Sequence, residues 1–319
     1  MTFSSLAGVG VLTGAVFNLL GDVGIDAGDA GEAAFTRLAR AGFAAAVGIV
    51  AVTVLGVAVL GALLLFAERW FGYRLTREPD GSLRVRRGLL TRRSLSVAQE
   101  RLRGVEIVEP LLLRAGRGAQ ARALAAGLAK DTQGGVLQPP VPRAEAHRVA
   151  AAVTGAPPPE TTRAPLRRHP RAATRRRFVR TLVPAAVLVA AAFLLDAQVL
   201  GPVSLVLLPV AALLALDRAR SLGHAVTAGY LVTRQGSVLR RTVALQRTGV
   251  IGWTVRQSVF QRRAGVATVE AVTGAGAGGY TAVDVAAADV APLLVATTPA
   301  ELATLLPGDG TRLPAWRAS

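Results

Sequence analysis

The chain contains no cysteine, a single lysine (Lys130) among 37 basic residues, three histidines and only 5% aromatic residues. Without cysteine there is no disulfide framework and no thiolate metal site, and nothing marks a redox compartment. His147, His169 and His224 are too scattered for a histidine metal cluster, so neither a metal nor another cofactor is expected. The few aromatics provide no stacking platform, which discounts nucleic acid as the partner of a chain with net charge +17. No HExxH, no GxSxG and no carboxylate pair in a recognisable setting is present, so the chain is read as not an enzyme.

Charge is also missing from long stretches. Residues 43–66 carry no charged side chain, and a second apolar stretch from Thr181 to Leu216 is broken only by Asp196 and Gln198. Roughly twenty consecutive apolar residues cross the hydrocarbon core of a bilayer, whereas a soluble-core helix would show polar positions once per turn. The second stretch is long enough for two short spans joined at Asp196–Pro202, a hairpin of helices with Pro184 and Pro209 as kinks. The shorter segment Leu6–Leu20, with Gly10 and Gly14 in a GxxxG, fits a thin span, a re-entrant segment or an interfacial helix, which leaves the parity of the count open.

The arginines are placed where membrane topology needs them. Codon bias explains arginine over lysine, but not why Arg163, Arg167, Arg168, Arg171, Arg175, Arg176, Arg177 and Arg180 precede the hairpin while Arg218 and Arg220 follow it. Arg69, Arg74 and Arg77 lie just past the first span, and basic flanks stay cytoplasmic. Both soluble parts are therefore expected in the cytoplasm, with Asp22, Asp26, Asp29 and Glu32 external, in a multi-pass protein of the cell membrane.

Outside the spans the pattern turns to period two. Arg84–Arg87 and Glu106–Glu109 alternate weakly, and Val266–Val272 and Tyr280–Val285 read as strands around the turn Thr273–Gly279. A helix is expected over Arg143–Val153, ending at Gly155 before Pro157–Pro159, with a second helical closure over Asp289–Leu305. Gly274, Gly276 and Gly279 spell GxGxxG, but the strand-like sequence after them favours a hairpin turn over a dinucleotide site, which needs a helix there.

The two soluble parts look like copies of one unit. Gly72-Tyr73-Arg74-Leu75-Thr76 matches Gly223-His224-Ala225-Val226-Thr227, and Gly88 with Arg92-Arg93-Ser94 matches Gly236 with Arg240-Arg241-Thr242. The register runs on nearly unchanged through Gln99 and Gln246, Leu112-Leu113 and Val259-Phe260, and Gly118 and Gly265. At these residues the chain resembles the bacterial pleckstrin-homology (PH) family of membrane proteins, the YdbT-like group. That resemblance implies membrane α-helices plus two β-rich PH-like domains, each an antiparallel sheet pair closed by a C-terminal helix. It also implies a third, N-terminal copy that is not seen, as in a shortened member or one with a misassigned start.

The expected organisation is a membrane region 1–66 with its span at 43–66, a first PH-like domain 67–155, and a Pro/Arg-rich linker 156–177. A helical hairpin 178–217, a second PH-like domain 218–306 and a tail 307–319 follow. Arg86, Arg87, Arg92 and Arg93, with Arg234, Arg240 and Arg241, fall on the same hairpin of each copy and are the candidate residues for an anionic lipid or a partner. A solvated loop made basic by topology alone would look the same. The expected role is a non-enzymatic binding or scaffold module at the inner leaflet. Its expected partners are membrane lipids and another membrane protein, a smaller PH-like relative included; the alternative is a non-catalytic subunit of a transport or envelope-stress complex.

Overall fold

The computed structural model describes residues 42–128, 135–195 and 200–298, with side chains of the first helix from Val52 onward. The segment 6–20, the acidic patch, and Asp196 and Gln198 at the hairpin turn lie outside these residues. The described residues form two units, one of 42–74 with Arg86–Ser94 and one of Leu75–Val85 with the residues from Leu95 onward.

Helix α1 (Gly42–Trp70) is the first element among the described residues, and β1 (Arg74–Arg77), β2 (Leu83–Arg87) and β3 (Arg93–Val97) form a three-stranded sheet in that order. A single 3-10 turn (Gln99–Arg101) leads to β4 (Leu102–Pro110), helix α2 (Leu111–Ala115), β5 (Gly118–Ala125), β6 (Val141–Pro142) and helix α3 (Arg143–Thr154). After β7 (Arg167–Arg168) come α4 (Arg171–Leu194), α5 (Leu200–Ser204) and α6 (Leu207–Arg220). The second half then runs β8 (Gly223–Val226), β9 (Tyr230–Gln235), β10 (Leu239–Gln246), a 3-10 turn (Arg247–Gly249), β11 (Gly252–Arg256), α7 (Val259–Arg263), β12 (Val266–Val272), β13 (Gly279–Ala286) and α8 (Ala287–Thr297).

Both halves thus share one order: three strands, a 3-10 turn, a strand, a short helix, two strands and a closing helix. The likeness extends to backbone detail. Gly88 (φ 110°) and Gly236 (φ 99°) each hold a turn in which a Cβ would lie 2.0 Å from the carbonyl oxygen three residues on, of Thr91 and of Leu239. Thr154 and Thr297 each end the closing helix by donating to carbonyls three and four residues back. The register is not constant throughout: the second half is one residue shorter between Gly236 and Gln246 than the first between Gly88 and Gln99.

The halves are joined by strand pairing, a feature the sequence did not announce. A seven-stranded sheet runs β6-β5-β4-β10-β9-β8-β7, so β4 of the first half lies antiparallel to β10 of the second, from Leu239 opposite Pro110 to Leu245 opposite Gly104. β11, β12 and β13 form a separate sheet. Leu231, Val243 and Leu245 meet Val269, Ala271, Val285 and Leu293 in one apolar core, and Leu124 of β5 belongs to that same cluster. Each of these larger side chains removed from water contributes roughly 1.5–3 kcal/mol, so the first half supplies part of the second half's stability. The stretch expected to be a linker also takes part: β7 pairs with β8, and Thr161 and Thr162 are fully buried.

Three helices among the described residues are long and apolar enough to cross a membrane: Val52–Trp70, Arg171–Leu194 and Gly201–Arg220. α4 packs against α5 and α6, the hairpin expected from the apolar stretch.

The junction tolerates no side chain at Gly104. Its φ is 156°, it sits where the β4–β5 register shifts, and a Cβ would fall 2.2 Å from the carbonyl oxygen of Ala244 on β10. Gly104→Ala is expected to cost about 3 kcal/mol and to lower the melting temperature of the purified full-length protein by about 5–10 °C. An unchanged melting temperature would show that the strands do not meet there.

Candidate functional site

Each half carries its candidate arginines on the hairpin between its second and third strands, and the two halves use them differently. In the first, Arg86 and Arg87 end β2 and Arg93 begins β3, with Arg92 just before it. The turn between them is tied to the end of α1, because the Gly88 N–H donates to the Phe71 carbonyl at 2.9 Å and the Leu89 N–H to that of Glu68 at 3.0 Å. The Arg87 guanidinium lies 4.5 Å above the Trp70 ring, a cation–π contact worth about 0.5–1 kcal/mol, and Trp70 meets Tyr73 edge-on. Burial lowers the Arg87 pKa, and the charges of Arg69 and Arg93 lower it further. Arg86, Arg92 and Arg93 are exposed and, among the described residues, make no ion pair. At the tip Leu90 is 86% exposed, and Leu89 is exposed beside it.

The second half spends the equivalent residues on internal contacts. Arg240 pairs with Asp217 at 3.1 Å, Arg241 with Glu106 at 3.5 Å, and Arg234 donates to the Thr242 hydroxyl at 3.0 Å. Glu106 is on β4, so the Arg241 pair crosses the junction between the halves. Burial raises the Glu106 pKa, and Arg241 and then Arg122 oppose it. Burial lowers that of Arg234, while Glu109 counteracts. Glu109 is itself held by Arg143 at 2.6 Å. The candidate arginines therefore divide into an exposed group at the end of α1 and a paired group within the sheet.

Sequence reasoning missed the acids that do this pairing. Asp217, in the last turns of α6, holds Arg114 of the first half at 2.8 Å and Arg240 of the second, and accepts from Ser237 at 2.9 Å. Asp284 on β13 is 1% exposed with φ 59°, a conformation that a non-glycine residue keeps only when its surroundings impose it. Arg177 at 3.1 Å and Arg176 at 3.4 Å, both from α4, and the Gln261 amide at 2.8 Å surround its carboxylate. The available signal was a set of lone carboxylates inside apolar runs, since a buried charge needs a partner. Among the described residues no group of three His, Asp or Glu could hold a metal. The GxGxxG stretch is a turn followed by β13, a strand where a dinucleotide site would have a helix.

The bacterial PH domain family matches the sequence twice, over residues 16–157 and 178–297. The chain belongs to the bacterial PH domain family. No curated protein and no solved structure matches it. The two family matches cover the two halves whose element order repeats, and PH domains are in general non-catalytic binding modules.

The histidines of this bacterial PH protein serve its fold. His169 Nε2 and His224 Nδ1 are 2.9 Å apart with their rings edge to face, and His147 Nδ1 meets the Thr162 hydroxyl at 2.6 Å. Burial pushes His224 down to about 4, with His169 and Arg167 adding to the shift and Asp289 opposing it. Burial likewise takes His147 to about 4. The folded state thus holds these rings neutral while the unfolded chain protonates near pH 6.5, so their contribution is present above that pH and is lost as pH falls toward 4. For His224 the full span corresponds to about 3 kcal/mol. Melting temperature followed from pH 7.5 to 4.5 is expected to fall less in His224→Asn than in the parent; parallel curves would remove His224 from the acid response.

Proposed function

We propose that this bacterial PH protein is a multi-pass protein of the cell membrane, close to the YdbT-like group, whose PH-like repeats form a non-enzymatic binding module at the inner leaflet. The observation that carries this reading is the tip of the β2–β3 hairpin. Exposed Leu89 and Leu90 sit between exposed Arg86 and Arg92–Arg93, and the turn is hydrogen-bonded to the last turn of an apolar helix ending at Trp70. A leucine tip enters the acyl boundary while flanking guanidinium groups meet phosphates, at about 1 kcal/mol per basic residue near an anionic leaflet. Trp70 supplies the aromatic anchor common at that depth. The arginines at the ends of α4 and α6 support a cytoplasmic side for the repeats.

A membrane-protein partner belongs to the same reading, a smaller PH-like relative included. Its support is that, among the described residues, β3 and β11 stand at the edges of their sheets, where backbone groups can accept a further strand.

Because the chain lacks cysteine, Leu90→Cys gives one unique labelling position. A spin label there, in the full-length protein reconstituted in bilayers containing phosphatidylglycerol, is expected to be shielded from a water-soluble relaxant and accessible to oxygen. Labels at the exposed residues Glu100 and Arg148 should stay aqueous. An aqueous signal at residue 90 would contradict the leaflet reading.

A further inference from the structure

We infer that the base of the α4–α6 hairpin holds a binding pocket for a phosphate group. A cleft of about 230 Å³ opens there, lined by Arg177 near the start of α4, Arg218 near the end of α6, Leu222, and Gln235, Gly236, Leu239 and Arg241 of the β9–β10 hairpin. Three guanidinium groups from three elements converge on one polar cavity. This inference rests on the reading that the hairpin crosses the membrane, because Arg177 and Arg218 then lie at the level of lipid phosphates.

The charge balance around the cleft calls for an anion. Asp284 is shared by Arg176 and Arg177, and Asp217 by Arg114 and Arg240. Glu106 is shared by Arg241 and, through the field alone, Arg122. Each carboxylate therefore answers only one of two guanidinium charges, and Arg218 makes no ion pair among the described residues. Of the three arginines lining the cleft, Arg177 is 7% exposed, so water compensates little of its charge, whereas the Arg241 side chain is 43% exposed and Arg218 is exposed. Arg177 gives one terminal nitrogen to Asp284, and Arg241 reaches Glu106 only at 3.5 Å, which leaves several of the five donors on each group for a ligand. A phosphate matches that arrangement, since planar guanidinium forks bind its oxygens in pairs. The Gln235 amide, already donating to Thr281, adds a neutral polar wall.

The same chemistry is offered by an anionic lipid headgroup and by free phosphate, and native mass spectrometry of the full-length protein from detergent micelles separates them. With added phosphatidylglycerol, the parent is expected to retain one lipid tightly, Arg218→Gln to retain it at least fivefold less, and Arg148→Gln, at an exposed position outside both the cleft and the hairpin tip, to retain it as the parent does. If glycerol phosphate or inorganic phosphate instead raises the parent's melting temperature in an Arg218-dependent way and no lipid is retained, the pocket stands with a soluble ligand. If Arg218→Gln changes neither lipid retention nor the response to phosphate, the pocket is overturned. That result would leave the reading of the Leu90 tip untouched, because the tip shares no residue with the cleft.

Discussion

The antiparallel pairing of β4 with β10 determines how the rest of the second unit is organised. Through it, strands from two repeats become one seven-stranded sheet, and Leu124 enters the core of the second repeat. The pairing also places Glu106 against Arg241 and brings Arg114 to the carboxylate of Asp217, which Arg240 shares. Asp217 belongs to the last turns of α6, so a single carboxylate ties both repeats to the hairpin of apolar helices. Losing either arginine leaves the acid with the other and with the Ser237 hydroxyl, so the two repeats are held to α6 by a shared contact and not by a single pair. Gly104 permits the close approach, and the ion pairs fix the register.

This joint explains why two copies of one sequence pattern have diverged in use. Arg241 pairs with Glu106 of the first repeat and Arg240 with Asp217 of α6, whereas Arg92 and Arg93 are exposed beside two leucines at the end of α1. The repeat preserved the backbone, down to the turns at Gly88 and Gly236, and left the guanidinium groups to be assigned by what lies opposite them. A PH-like repeat excised between Gly72 and Gly155 would expose β4 along its length and remove Leu124 from its neighbours. Binding is therefore best measured on the whole chain.

Elements defined by local pattern were legible in the sequence. Val266–Val272 was marked by alternation and is β12 within the same bounds; Arg143–Val153 was marked by its alanine-rich run and by Gly155, whose φ of 71° caps α3. The helical hairpin followed from the length of an apolar stretch and its interruption. The pairing of β4 with β10 was not legible, because hydrophobic alternation tells which face of a strand is buried and says nothing of which edge finds a partner. For the same reason the arginine pairs could be found but not sorted into exposed and paired. The carboxylates Glu106 and Glu109, buried in an otherwise apolar strand, were the clue: they require cations, and the cations come from β10, from β5 and from the start of α3. β7 escaped notice because two arginines in a proline-rich stretch carry no strand signal.

The division of labour between the two arginine pairs is tested most directly by comparing Arg92→Gln/Arg93→Gln with Arg240→Gln/Arg241→Gln in the full-length protein. Melting temperature is measured in nanodiscs of neutral lipid and in nanodiscs containing phosphatidylglycerol. The first variant is expected to keep the parent's melting temperature in neutral lipid and to lose the extra stabilisation that anionic lipid confers. The second is expected to melt about 5–10 °C lower in both, since the joint itself is weakened. If the two variants behave alike, or if the first alone loses stability in neutral lipid, the exposed pair and the joining pair have not parted roles.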